Sequence, residues 1–484
     1  MDALHLSLFT TNITDELADI VSLLPIFTFA VPDEIPGVVV EVDDDDGDST
    51  NSAQSLKRGS NETFLPPRQE ALAKRAFNTQ FPLINGISLS DLRFAPPFLT
   101  QISNKAGSTV GLADAYLHVA NIRGGNVMVH VFDTGFGNGQ TAFSGAIVLP
   151  VTAQDLDGNT IQLQKCQART TPLLFGSEQV LMTDEADHET FVADIIVDSQ
   201  DGVAPNANFV VVKYAQLGCT MTTTSYGILL ESILADWKAR DKTQFTDAII
   251  NISNSWFHVL SNTDWIDAIA DFLEPLAAAK MIFVLAAGEA KPSLDNIVYD
   301  VNDWAPQAYA SLDQDDFPFI IVGSVNTNGV IPARNFEDND PPEYISLYAQ
   351  DKVQGIKNNV FQPDTKSGTS LAAPQVAGVL AEWLSLPEIR QAIDTCPDGN
   401  FPAKVRSFVR DISLTNNFPG SVNVLYNGYN TPGACTRKPL PRPRIPIPRD
   451  RIRKLMCLQS SMALLLIPSF TVEYVQPIPL TSCF

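Results

Sequence analysis

Hydrophobic positions in the middle of the chain fall into two patterns. Short, nearly unbroken apolar runs rich in Val and Ile predict buried strands: Val127-Met128-Val129-His130-Val131-Phe132, Phe209-Val210-Val211-Val212-Lys213-Tyr214, Ala248-Ile249-Ile250-Asn251-Ile252 and Met281-Ile282-Phe283-Val284-Leu285-Ala286-Ala287. Between them apolar residues recur at helical spacing, over Glu189 to Val197, Tyr226 to Lys238 (Ile228, Leu229, Ile233, Leu234, Trp237) and Trp265 to Ala279. Strands apolar on both faces must be covered on both faces, and strands alternating with helices pair in parallel. The pattern predicts an α/β fold over residues 110–428, a doubly wound parallel sheet flanked by helices.

The flanks read differently. Residues 1–95 carry the acidic run Glu41-Val42-Asp43-Asp44-Asp45-Asp46-Gly47-Asp48 and then Ser/Asn-rich sequence. Like charges repel, so a partly disordered, pro-segment-like region is expected. The basic pairs Lys57-Arg58 and Lys74-Arg75 read either as processing sites or as ordinary exposed pairs. Residues 429–484 contain Arg437-Lys438-Pro439-Leu440-Pro441-Arg442-Pro443-Arg444, where proline density favours an extended tail. Both extensions are expected to be poorly ordered. Ile20 to Val31 has the length of a signal-peptide core, but Asp15, Glu16 and Asp19 stand where a basic segment belongs. Met462 to Ile467 falls well short of the ~20 residues a bilayer needs, so no membrane span is expected.

Composition narrows the function classes. With 484 residues, 45% hydrophobic and 18% charged, the chain can bury a large core. Its 32 basic against 55 acidic side chains give a net charge of −23, which argues against nucleic acid as a partner because phosphates would go unneutralised. Six cysteines without a CxxC pair give no support to zinc ribbons or thioredoxin-type redox chemistry, while the even count permits disulfides.

In parallel α/β sheets reactive groups gather beyond the carboxyl ends of the strands. There the chain places Asp133-Thr134-Gly135, then Asp187-His188-Glu189 opening a helix, then Gly288-Glu289, and finally Ser367-Gly368-Thr369-Ser370 before the apolar stretch Leu371 to Gly378. An acid, an imidazole and a hydroxyl are what nucleophilic catalysis by serine requires. The imidazole takes the hydroxyl proton, and the carboxylate fixes the imidazole tautomer. A serine at a helix start also sets its own N–H at the positive end of the helix dipole.

In this order the residues resemble the subtilisin-like serine peptidases, over roughly Asn121 to Leu425. Gly368-Thr369-Ser370-Leu371-Ala372-Ala373-Pro374-Gln375-Val376-Ala377-Gly378 is similar to nearly the whole serine motif of that family. Val131-Phe132-Asp133-Thr134-Gly135 resembles its aspartate motif, and Gly202-Val203-Ala204-Pro205-Asn206-Ala207 the turn before the next strand. The resemblance implies endopeptidase action through Ser370 as nucleophile, His188 as base and Asp133 as orienting acid, on a polypeptide substrate. It also implies a removable pro-segment (a zymogen) and a secreted, monomeric protein. No cofactor or metal ligand set is legible, although the resemblance would allow calcium. Ser253, Asn254 and Ser255 correspond to the strand that pairs with substrate backbone, and either Ser255 or Phe257 stands where the family has a glycine.

Two departures carry weight. His188-Glu189-Thr190-Phe191 replaces His-Gly-Thr-His, setting a carboxylate next to the base. Glu289 stands where the family has the asparagine that donates to the oxyanion; beside it, the Ser370 amide is the other expected donor. An ionised Glu only accepts and repels growing negative charge, whereas a protonated one donates. Since unperturbed Glu titrates near ~4.3 and His near ~6.5, a protonated Glu289 and a neutral His188 coexist only in a narrow, mildly acidic window. The expectation is a slowed enzyme with an acidic optimum, or a catalytically impaired peptide binder on the same fold.

Competing motifs fail on spacing. A second Asp-Thr-Gly or Asp-Ser-Gly for an aspartic peptidase is absent, Gln140 breaks a dinucleotide loop after Gly135, and Val192 stands where a zinc helix needs its second His. His130, inside a strand, is expected to pack. Asn61-Glu62-Thr63 is a better glycosylation candidate than Asn251-Ile252-Ser253, which lies in a buried strand.

Overall fold

A computed structural model describes residues 89–93, 95–103, 115–119, 122–135, 147–148, 164–166, 188–199, 201–213, 219–221, 223–254, 257–258, 263–289, 300–301, 304–312, 317–332, 335, 344–356, 363–396, 399–414 and 422–428. The acidic run, the basic pairs, the candidate signal core, Asn61 and the Pro/Arg-rich tail lie outside the described residues. The strands are β1 (Leu89–Arg93), β2 (Ala115–Val119), β3 (Val127–Asp133), β4 (Ile147–Val148), β5 (Gln164–Cys166), β6 (Asn208–Lys213), β7 (Cys219–Met221), β8 (Asp247–Ile252), β9 (Phe257–His258), β10 (Ile282–Ala286), β11 (Trp304–Ala305), β12 (Ile320–Val325), β13 (Ile345–Gln350), β14 (Lys352–Ile356) and β15 (Pro363–Ser367). The helices are α1 (Pro97–Ser103), α2 (Glu189–Val197), α3 (Thr223–Ala239), α4 (Thr263–Ala278), α5 (Tyr309–Leu312), α6 (Thr369–Leu384), α7 (Pro387–Asp394) and α8 (Phe401–Leu414).

Seven strands form one sheet in the order β13-β12-β10-β8-β3-β6-β4, and every described pairing in it is parallel. The expected α/β architecture is what the chain adopts. Period-2 alternation sends successive side chains of β3 to opposite faces. Val127, Val129 and Val131 join a core roofed by α2 and α6, while Met128 and Phe132 join a second core roofed by α3 and α4. Helices on both faces, carried by the crossovers that parallel strands require, make the sheet doubly wound. β1, within the stretch read as pro-like, pairs antiparallel with β2.

The helix α6 is central. It is apolar all round, and every residue from Leu371 to Leu384 is buried, as expected for a helix enclosed on all sides. Its one acidic residue, Glu382, is fully partnered: Oε1 accepts Val119 N–H (2.6 Å) and Oε2 accepts Tyr116 O–H (3.0 Å). Burial, reinforced by the Glu382 charge, pushes the Tyr116 hydroxyl well above its ordinary range. These bonds dock β2 on α6 and fix the helix that carries Ser370.

On the other face His130 is buried within β3, as expected, with Nε2 3.0 Å from Asp236 Oδ2 on α3; Arg240, one turn on, also reaches Asp236. On the first face, Arg390 of α7 pairs with buried Asp247 at the start of β8. Cys396, at the end of that helix, is disulfide-bonded.

Candidate active site

Asp133 is the last residue of β3, and its side chain is 1% exposed. Burying a carboxylate is costly unless hydrogen bonds replace water. Here Thr134 N–H donates to Oδ1 (2.8 Å), and His188 Nδ1 lies 2.9 Å from Oδ1 and 3.0 Å from Oδ2. A carboxylate can only accept, so Nδ1 carries the proton, and in the neutral imidazole this leaves the lone pair on Nε2, the tautomer a general base needs.

His188 is the N-cap of α2, yet its ring makes no capping bond because it is turned to Asp133. The orphan N–H of Glu189 is met from another element: it donates to Thr134 Oγ1 (3.2 Å). The Glu189 carboxylate, fully buried, accepts Gly135 N–H.

Ser370 is the second residue of α6, half-buried, and follows directly from β15 through Gly368. Gly368 has φ +150°, and a Cβ there would sit 3.2 Å from Ser370 Oγ and 3.2 and 3.5 Å from the two Glu289 oxygens. Only glycine fits that backbone and that space. Pro374 supplies no N–H to the Ser370 carbonyl four residues back.

Glu289, just past the end of β10, takes the place of a helix cap: Oε1 accepts Thr369 N–H (2.6 Å), the first N–H of α6, while Gly288 N–H donates to Thr369 Oγ1 (3.1 Å). Its backbone pairs with Asn335, which is bonded to Ser324; Ser324 donates to Asp351, and the Asp351 carbonyl accepts Gly368 N–H. This chain of bonds ties the exit of β10 to the turn that carries the serine.

The structure thus forms one side-chain pair, Asp133 with His188, and brings the Glu289 carboxylate to the start of the helix that carries Ser370. These residues are carried by β3, α2, β10 and α6, and α6 packs against each of the other three. Of the residues expected to meet substrate, Ser253 is buried and its hydroxyl accepts Asn251 Nδ2 (2.8 Å). Asn254 is half-buried, with Nδ2 3.4 Å from the Phe132 carbonyl. Ser255 lies outside the described residues.

Sequence reasoning passed over Gln307. Its Nε2 donates to the carbonyls of Asn254 (3.1 Å) and Ala286 (2.6 Å), stitching the end of β8 to the end of β10 next to Glu289. No motif marks it; a lone Gln after Pro306 carries no local signal. Among the described residues no cluster of His, Cys, Asp or Glu could hold a metal ion, and no helix is long and apolar enough to cross a membrane.

A doubly wound parallel sheet with a buried Asp–His pair at a strand end and a serine at the start of a central helix has the architecture of the subtilisin-like fold. The Subtilase family profile matches residues 124–395, more than half of the chain, and the chain belongs to that family. Curated relatives include Subtilisin-like protease 2 of Arthroderma otae, 28% identical over 258 residues (51% of this chain and 51% of that protein), and Subtilisin-like protease 2 of Trichophyton verrucosum, 28% identical over 213 residues (43% of each). The chain spans about half the length of the curated relatives it matches. Among solved structures, a cold adapted subtilisin-like serine proteinase aligns with a TM-score of 0.48 and 20% identity, covering 69% of this chain and 98% of that one.

Proposed function

We propose that the protein is a serine endopeptidase that cleaves peptide bonds through an acyl-enzyme. The observation that carries this reading is the hydrogen bond from His188 Nδ1 to the buried carboxylate of Asp133, which leaves Nε2 as the base. In the mechanism, Nε2 removes the Ser370 hydroxyl proton as Oγ attacks the scissile carbonyl. The oxygen of that carbonyl becomes an oxyanion near the start of α6, where the Ser370 N–H and the dipole of a sixteen-residue helix favour negative charge. His188 then hands its proton to the leaving amine, and water repeats the sequence in reverse to release the acyl group. The substrate backbone lies along 253–255, with Asn254 held in place by Phe132 and Gln307. Disulfide-bonded Cys396 supports an oxidising compartment outside the cytosol, and the net charge of −23 supports a soluble monomer.

Glu289 favours a second reading, an impaired peptide binder. Its carboxylate already occupies the Thr369 N–H, one residue before Ser370, where an oxyanion would need donors. A fluorophosphonate probe separates the two readings, since it reacts only with an activated serine. Labelling that disappears in Ser370→Ala establishes the enzyme. No labelling at any pH from about 4 to about 9 refutes the enzyme and supports the binder, because that range spans the neutral form of an imidazole and both forms of a carboxyl.

A further inference from the structure

We propose that Glu189 is a positioning residue for the Asp133–His188 pair: its buried carboxylate, bonded to Gly135 N–H, clamps the turn after β3 onto the first residue of α2. This inference rests on the reading of Asp133, His188 and Ser370 as a serine-peptidase triad.

The clamp is a closed ring of bonds. Asp133 accepts from His188 and from Thr134 N–H; Thr134 Oγ1 accepts from Glu189 N–H; and the Glu189 side chain returns to Gly135 N–H. Acid and base are 55 residues apart in sequence, on a strand and a helix, so their mutual placement depends on bonds made directly between those two elements. A hydrogen bond to a carboxylate is about twice as strong as one between neutral groups, and this one is fully buried. Gly135 has φ +102°, a conformation that presents its N–H to Glu189 at no steric cost. Glycine stands at position 189 in the family pattern and has no side chain with which to form this bond. Glu189 is therefore a device of this chain, and what it fixes is the placement of Nε2. A displacement of about 1 Å at a reacting group costs up to ~10²-fold in rate.

The test compares Glu189→Gln, which keeps the length and an accepting oxygen, with Glu189→Met, which keeps the volume and removes the acceptor. Three readouts apply: the fluorophosphonate labelling rate, kcat and KM on a peptide substrate, and the far-downfield proton resonance of a His Nδ1–H bonded to a carboxylate. Glu189→Gln is expected to keep labelling and kcat within about threefold and to keep the resonance. Glu189→Met is expected to lose about 10- to 100-fold in both rates, with KM within about twofold, and to broaden the resonance through exchange with water. If Glu189→Met does not fold, Glu189→Asp replaces it, since its carboxylate falls one methylene short of Gly135 and the same losses are expected. Full rates and a sharp resonance in the shortened or acceptor-free variant overturn the proposal. So does a Gln variant as impaired as Met, because charge rather than the bond would then be acting. A wild-type protein that never labels, yet shows a resonance kept in Gln and lost in Met, refutes the peptidase reading and upholds the clamp.

Discussion

Replacing Glu289 probes the oxyanion site directly. In the structure one carboxylate oxygen takes the first N–H of α6, one residue before Ser370. Glu289→Gln preserves the cap, with the amide oxygen on Thr369 N–H, and replaces the second oxygen by an NH2 donor at the proposed oxyanion site. Removing the equivalent donor in subtilisin lowers turnover by about 10²–10³, or about 2.7–4 kcal/mol of transition-state stabilisation. Supplying one should recover a good part of that, so kcat is expected to rise at least about tenfold, with KM within about twofold because the ground-state carbonyl gains little. Glu289→Asn, shorter by a methylene, should also raise kcat while losing the cap on Thr369, at about 1 kcal/mol of stability. The pH profile adds a second check. In the wild type the rate should fall as Glu289 ionises and repels the oxyanion, whereas in Glu289→Gln the acidic optimum should give way to a plateau on the neutral side of the histidine titration. The assay is steady-state hydrolysis of a chromogenic peptide from about pH 4.5 to about pH 9. Two variants with unchanged kcat and unchanged profile would remove residue 289 from the oxyanion site and refute the reasoning.

Other outcomes follow from the packing and the charge pairs. Burial pushes the Asp247 carboxyl above its ordinary 3.8, and Arg390 opposes this; Arg390→Ala should therefore cost about 2–3 kcal/mol near neutral pH, the lower end for a broken buried pair because the guanidinium is partly exposed. Because the folded state then holds the Asp247 proton more tightly than the unfolded state does, that cost should shrink toward pH ~4, which urea melts at two pH values will show. At Asp236, burial raises the carboxyl, but hydrogen bonds from His130 and Arg240 outweigh it and leave it below the ordinary 3.8. The stabilisation it gives is complete above the unfolded value and lost as pH falls through the lower folded one, so Asp236→Asn should flatten the acid limb of stability below about pH 4. A Cβ on Gly378 would lie 2.6 Å from Val203 Cβ, on the loop before β6, so Gly378→Ala should cost about 1–3 kcal/mol of thermal stability by overpacking. A Tm equal to the wild type would show that the loop yields.

Much of the scaffold was legible because strands buried on two faces and amphipathic helices leave distinct periodicities. Glu189–Val197 has the bounds expected, and β3, β6, β8 and β10 lie within a residue of the runs that announced them. β12, β13 and the two-residue β4 complete the sheet but were not read as strands. β12 is interrupted by Gly323 and Ser324, and β13 alternates Ser346 and Tyr348 with apolar residues, so neither forms a long β-branched run. Short strands of that kind are decided by the partner they pair with, here the rest of the sheet.

The site divides in the same way. By itself the sequence named the acid, the base and the hydroxyl in order, together with the two misfit glutamates, because each stands in a motif whose residue types are constrained by local backbone and chemistry. It had no means of telling what the glutamates bond. Glu189 reaches across to Gly135 and Glu289 across to Thr369, 54 and 80 residues distant along the chain. Gln307 likewise acquires meaning only where it joins the ends of β8 and β10. Periodicity and motif are local properties, so they survive in one dimension. A buried carboxylate takes whichever N–H the packing of distant elements brings within three ångströms, and that choice exists only once the sheet and α6 have come together.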